Sequence, residues 1–152
     1  MAERYVIDTC AIIDYFDYIF GTTSSSLSAT GRTIISDALS VNRPFSALPI
    51  LIIPSIVFLE IFQKWFDNVD LANRIVREVY RLFVERDNIE IRKLDREVVE
   101  FVRTIRGSLS NHEINDKIVL ATALILKCPL ITNDSDIQGY LNQMETDTRL
   151  IY

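Results

Sequence analysis

Apolar and polar positions follow two periods along this chain, and the two take turns. Tyr5-Val6-Ile7 is a short β-branched and aromatic run ending at Asp8-Thr9, which predicts a first, central strand followed by a turn. From Ala11 to Phe20 the period lengthens, with Ile12, Ile13, Phe16 and Phe20 on one helical face. Gly21 to Gly31 is rich in serine and threonine and is expected to be a flexible loop. A short helix is expected from Arg32 to Val41, with Pro44 and Pro49 in the loop that leaves it. Ile50-Leu51-Ile52-Ile53, stopped by Pro54, is the continuous apolar run of a parallel strand buried on both faces.

Ser55 is then expected to N-cap a helix from Ile56 to Phe66. Phe58, Phe62 and Trp65 fall on one side of it, and Glu60, Gln63, Lys64 and Asp67 on the other. Asp70 to Arg86 predicts a longer amphipathic helix, with Leu71, Ile75, Val79, Leu82 and Phe83 inward and Arg74, Arg77 and Arg81 outward. Ile89-Glu90-Ile91 is a short strand, and Asp95 caps a helix carrying Val98, Val99, Val102 and Ile105 up to Gly107. In the stretch that begins at Asn115, Asp116 opens a helix apolar nearly all round. A turn at Cys128-Pro129, a strand Leu130–Thr132 and a last strand within 149–152 complete the chain. Strands alternating with helices predict a three-layer α/β/α sandwich with a mainly parallel central sheet. No repeat or second domain is visible, so residues 1–152 form one domain.

Composition narrows the field without deciding it. With 49% hydrophobic and 24% charged residues the chain is an ordinary globular one, and no stretch approaches the roughly 20 apolar residues of a membrane span. Cys10 and Cys128 are far apart and offer neither a zinc spacing nor a disulfide framework, so a reducing cytoplasm is expected. The net charge of −5 argues against holding nucleic acid by bulk positive charge. It leaves open a site built from acids that bind metal.

The acids are where the chemistry lies. In parallel sheets function sits beyond the carboxyl ends of the strands. Asp8 ends the first strand, Asp134 and Asp136 follow the strand at 130–132, Glu60 lies about two turns into the helix after the second strand, and Asp116 opens the apolar helix. Each has an ordinary structural explanation: a helix cap for Asp8, a surface pair with Lys64 for Glu60, turn chemistry for Asn133-Asp134-Ser135-Asp136. Asp116 is the hardest to dismiss, because an acid on an apolar helix is costly without a counter-charge. A capping box at Ser110–Glu113 would set it further in. Carboxylates clustered without His or Cys make a hard, all-oxygen site suited to Mg²⁺ or Mn²⁺. Two such ions are the usual machinery of in-line displacement at phosphate.

Taken in order, Val6-Ile7-Asp8-Thr9-Cys10, Ile53-Pro54-Ser55 leading to Glu60, Asn115-Asp116 before Ile118–Ala123, and Leu130–Asp136 resemble the four motifs of the PIN-domain ribonucleases. The resemblance implies a PIN-like fold and a Mg²⁺- or Mn²⁺-dependent endoribonuclease. Its acidic quartet would be Asp8, Glu60, Asp116 and Asp134, with Asp136 as an accessory metal ligand and Thr9 and Thr132 orienting carboxylates. The products would carry 5′-phosphate and 3′-hydroxyl ends. Small members of the family are often toxins of toxin–antitoxin pairs, so an antitoxin partner and a homodimer are implied as well. Cys10 departs from the pattern, standing where serine is more usual. His112 is expected to be a loop or capping residue, Lys117 to offset the acids, and Arg74, Arg77 and Arg81 either a phosphate rail or a solvated face. A phosphate-transferring Asp enzyme of the haloacid-dehalogenase kind needs a second Asp where Cys10 stands. A non-catalytic module whose acids hold a structural ion or a basic partner is the other alternative.

Overall fold

Strands made of continuous apolar runs have no solvent face, and here they become the middle of a sheet. The computed structural model describes residues 2–21, 23–41, 44, 47–65, 70, 73–74, 76–105, 114–143 and 148–152. β1 (Arg4–Ile7), β2 (Ile50–Pro54), β3 (Ile89–Arg92), β4 (Leu130–Ile131) and β5 (Leu150–Ile151) form one sheet of order β3-β2-β1-β4-β5. Every pairing in it is parallel. Val6, Ile7, Leu51, Ile53, Leu130 and Ile131 are completely buried, which is why these segments carry no polar alternation.

The helices are α1 (Thr9–Ile19), α2 (Ala29–Ala38), α3 (Ser55–Trp65), α4 (Arg81–Val84), α5 (Arg96–Val102), α6 (Ile114–Leu126) and α7 (Ser135–Gln143). The apolar α6 packs on β1, β2, α3 and α5, and that central position explains its all-round hydrophobicity. Among the described residues no helix is long and apolar enough to cross a membrane.

The order of strands positions everything that follows. The chain runs from β1 outward through β2 to β3, then returns to the opposite side of β1 for β4 and β5. The direction of winding therefore reverses between β1 and β4, and a crevice opens beyond their carboxyl ends. Ile7 pairs with Ile131 there, and the Asp8 N–H donates to the Ile131 carbonyl at 3.0 Å.

Several local expectations are corrected. The serine-rich segment is not a free loop: Ser25, Ser26 and the Leu27 N–H all donate to the Asp14 carboxylate. Helix α2 begins inside it at Ala29, capped by Ser28, rather than at Arg32. Ser55 is the first residue of α3 rather than its cap, and Val57 and Ile61 are the fully buried positions of that helix. The expected long helix at 70–86 is wound as a π-helix over Val76–Tyr80 before α4; Leu71 and Ile75 lie outside the described residues. Asp95 caps α5 as expected, but Val99 is exposed, and the helix ends at Val102. Thr132 follows β4 rather than belonging to it. Helix α7 has no counterpart in the hydrophobic pattern, and Ser110–Glu113 lies outside the described residues.

Gly31 shows how closely the last strand docks. A Cβ at Gly31 would stand 2.6 Å from the backbone oxygen of Tyr152. Gly→Ala inside an exposed helix ordinarily gains about 1 kcal/mol. Gly31→Ala is instead expected to destabilise the protein by about 1–3 kcal/mol, the usual cost of overpacking, read from the urea midpoint.

Candidate functional site

Asp8 is the fixed point of the site. It is 1% exposed, and its two carboxylate oxygens take separate partners. Oδ1 accepts the Thr9 N–H at 2.7 Å, at the start of α1. Oδ2 accepts the hydroxyl of Thr132, itself fully buried, at 2.9 Å. Asp8 therefore does cap α1, yet the cap consumes one oxygen and leaves the other pinned across the crevice. Thr132 is used twice, since its Oγ1 also accepts the Asp134 N–H at 3.0 Å. The Asp134 Oδ1 in turn accepts the Asp136 N–H at 2.8 Å, at the head of α7. One threonine thus fixes both the buried carboxylate and the backbone that carries the next one.

Glu60 arrives from α3. The surface pair with Lys64 is not what holds it: its carboxylate accepts from the Thr9 hydroxyl and, at 2.9 Å, from the Asn115 amide. Asn115 precedes Asp116 in the first turn of α6, where the helix dipole favours an acid. Glu60, Asp116 and Asp134 are all half-buried. Asp136 is exposed.

The acids lie within one another's electrostatic field. Burial is the main influence on Asp8 and raises its pKa; the bonds from Thr132 and Thr9 pull it down, while the charges of Asp116 and Asp134 push it up, to about 7 in all. Cys10, in the first turn of α1, feels Asp8, Asp134, Asp116 and Glu60 together. Partial burial first and those four charges next raise its thiol to about 12. Its sulfur and carboxylate oxygens of Asp8 and Asp134 lie within 4.8 Å of one another.

The donor set decides whether a divalent cation fits. A buried carboxylate whose charged neighbours are also negative is a state that folding alone does not favour. A cation of charge +2 reverses the sign of that interaction, and carboxylate oxygens are the ligands Mg²⁺ and Mn²⁺ prefer. The residues fit.

Sequence reasoning passed over four residues that this geometry uses. Cys10 was noted only as a departure in an apolar run, but it is exposed at the acid cluster. Asn115 orients Glu60. Asn133 donates to Ser26 at 2.7 Å and so ties the serine-rich segment to the site. Asp14 holds that segment, and the bonds it accepts outweigh burial and keep its carboxyl below the ordinary range. The sequence signal was adjacency: three of the four lie within two residues of a named acid or threonine. The arginines of the expected rail are engaged with their neighbours, Arg74 with Glu78, Arg81 with Glu85, and Arg77 with the Asn73 carbonyl. His112 lies outside the described residues, and Lys117 is half-buried.

Comparison with known proteins gives the family and the fold. The family profile described as PIN domain matches residues 5–140. Among solved structures, VapBC2 from Rickettsia felis bound to a DNA fragment from its promoter matches with a TM-score of 0.60 and 14% identity, covering 97% of this chain and 96% of that one. VapBC-1 from nontypeable Haemophilus influenzae matches with a TM-score of 0.60 and 16% identity over the same shares. A toxin–antitoxin complex from Klebsiella pneumoniae matches with a TM-score of 0.52 and 20% identity, covering 86% of this chain and 87% of that one. No curated protein sequence matches.

The raised pKa of Asp8 carries a sign that can be measured. The folded, metal-free protein holds the Asp8 proton up to about pH 7, whereas the unfolded chain releases it near the ordinary 3.8. The stabilisation is full below the lower value and is lost as pH rises through the higher one. With chelator present, the denaturation midpoint is expected to fall between about pH 4 and 7. Asp8→Asn should flatten that slope and be the more stable protein at pH 8.

Proposed function

Because the chain belongs to the PIN domain family, whose members are generally metal-dependent nucleases, we propose that it is an endoribonuclease working through Asp8, Glu60, Asp116 and Asp134. The observation that carries this reading is the buried Asp8 carboxylate, bonded on both oxygens and facing two further negative charges. Asp8, Asp116 and Asp134 would hold Mg²⁺ or Mn²⁺, with Glu60 as a further metal or water ligand. Bound there, such ions lower the pKa of water and offset the charge of a scissile phosphate.

The protein's own share is positioning. Thr132 keeps the Asp8 carboxylate aimed and holds the Asp134 backbone beside it. Thr9 and Asn115 hold both oxygens of Glu60, so that carboxylate does not swing toward the nearby lysine. The reaction is phosphodiester hydrolysis, leaving 5′-phosphate and 3′-hydroxyl ends. Asp136 is the weakest member of the proposed set, exposed and joined to Asp134 only through its backbone N–H.

The biological reading is a toxin of a toxin–antitoxin pair, neutralised by a small protein partner. It is supported by near-complete overlap with chains of VapBC complexes. Co-purification with the product of a neighbouring gene, with loss of nuclease activity on binding, is the check on that part.

A mixed RNA pool in Mn²⁺ tests the chemistry. Removing the groups that orient metal ligands commonly costs about 10–100-fold, so Thr132→Val is expected to slow cleavage by roughly tenfold or more. Asp8→Asn and Asp116→Asn remove proposed ligands themselves and should slow it by about a hundredfold or more. Cleavage at the wild-type rate in either Asp variant rules the mechanism out.

A further inference from the structure

The acid cluster contains one donor that is not oxygen. Cys10 lies two residues beyond Asp8, in the first turn of α1. Its sulfur makes a triangle with carboxylate oxygens of Asp8 and Asp134, no edge longer than 4.8 Å. An ion with bonds of about 2.0–2.2 Å to carboxylate oxygen and about 2.3 Å to sulfur needs tetrahedral ligand atoms roughly 3.4–3.6 Å apart, a separation that small side-chain rotations within this triangle supply.

We infer that Asp8, Cys10 and Asp134 form a mixed oxygen–sulfur site that takes a thiophilic divalent cation, of the Co²⁺, Zn²⁺ or Cd²⁺ kind. Softer ions gain from sulfur what Mg²⁺ does not, and they rank above Mn²⁺ and Mg²⁺ for most donor sets. On binding, the Cys10 S–H bond breaks, its proton leaves to solvent, and the sulfur electron pair forms the bond to the metal. Nothing is oxidised or reduced. A hydroxyl oxygen in place of the Cys10 sulfur would offer no such preference.

The inference rests on the same cluster holding a cation, and the two fail separately. Metal-free full-length protein is titrated with Co²⁺ and followed by near-ultraviolet absorption. A sulfur-to-cobalt charge-transfer band is expected in wild type and in Cys128→Ser, and it should vanish in Cys10→Ser. Cd²⁺ affinity, measured by calorimetry, should fall at least about tenfold in Cys10→Ser, while Mn²⁺ affinity stays within a few-fold of wild type. Cadmium NMR of the wild-type protein reports the sulfur ligand without any substitution, and a shift typical of oxygen ligands alone overturns the inference. So does a cobalt band that persists in Cys10→Ser. Normal Mn²⁺ binding with no sulfur signature defeats the mixed site alone; absence of all divalent binding defeats the nuclease reading with it.

Discussion

A carboxylate placed where water does not reach must be compensated by its neighbours, and in this protein Asp8 imposes that requirement on both halves of the chain. Its two oxygens draw in the start of α1 and the residue after β4, groups that sequence places on either side of most of the domain. Removing either partner leaves a buried acceptor unsatisfied, at a cost typical of about 1–3 kcal/mol and more for a charged group. The remaining acids then have little freedom. Asp134 hangs from the hydroxyl that serves Asp8, and Glu60 is bound to the residue that follows it.

The sheet order makes this arrangement available. Two parallel strands that leave their common neighbourhood in opposite directions cannot have their following loops packed over one another. The gap at β1 and β4 is therefore a product of topology, and the acids only have to be placed at its rim. Thr132 then does with one hydroxyl what would otherwise take two residues, because it donates to one acid and accepts from the backbone of the other.

What the sequence made legible follows from the same physics. Strands buried on both faces announce themselves as apolar runs, so β1, β2 and β4 could be placed to within a residue or two, and the acids at their ends with them. The parts that escaped are those where hydrogen bonding outranks hydrophobic period. Segment 23–28 looks loose by composition, but Asp14 supplies it with four acceptor bonds that no local rule anticipates. Helix α7 has too few apolar positions to signal itself. The π-helical turn at 76–80 shares its apolar spacing with an ordinary helix. Glu60 misled for a different reason, since Lys64 one turn away is a sufficient partner by sequence, and the better partners, Thr9 and Asn115, are 51 and 55 residues distant.

That separation has a bearing on synthesis. The bond from Thr132 to Asp8 closes a loop of 124 residues, and β4 joins the sheet only after β1, β2 and β3 exist to receive it. Until Thr132 and Asp134 have been made, Asp8 lacks both the hydroxyl that holds its second oxygen and the carboxylate carried beside it. Contacts between residues so far apart in sequence are slow to form. The acid cluster around Asp8 is therefore among the later parts of the fold to be completed.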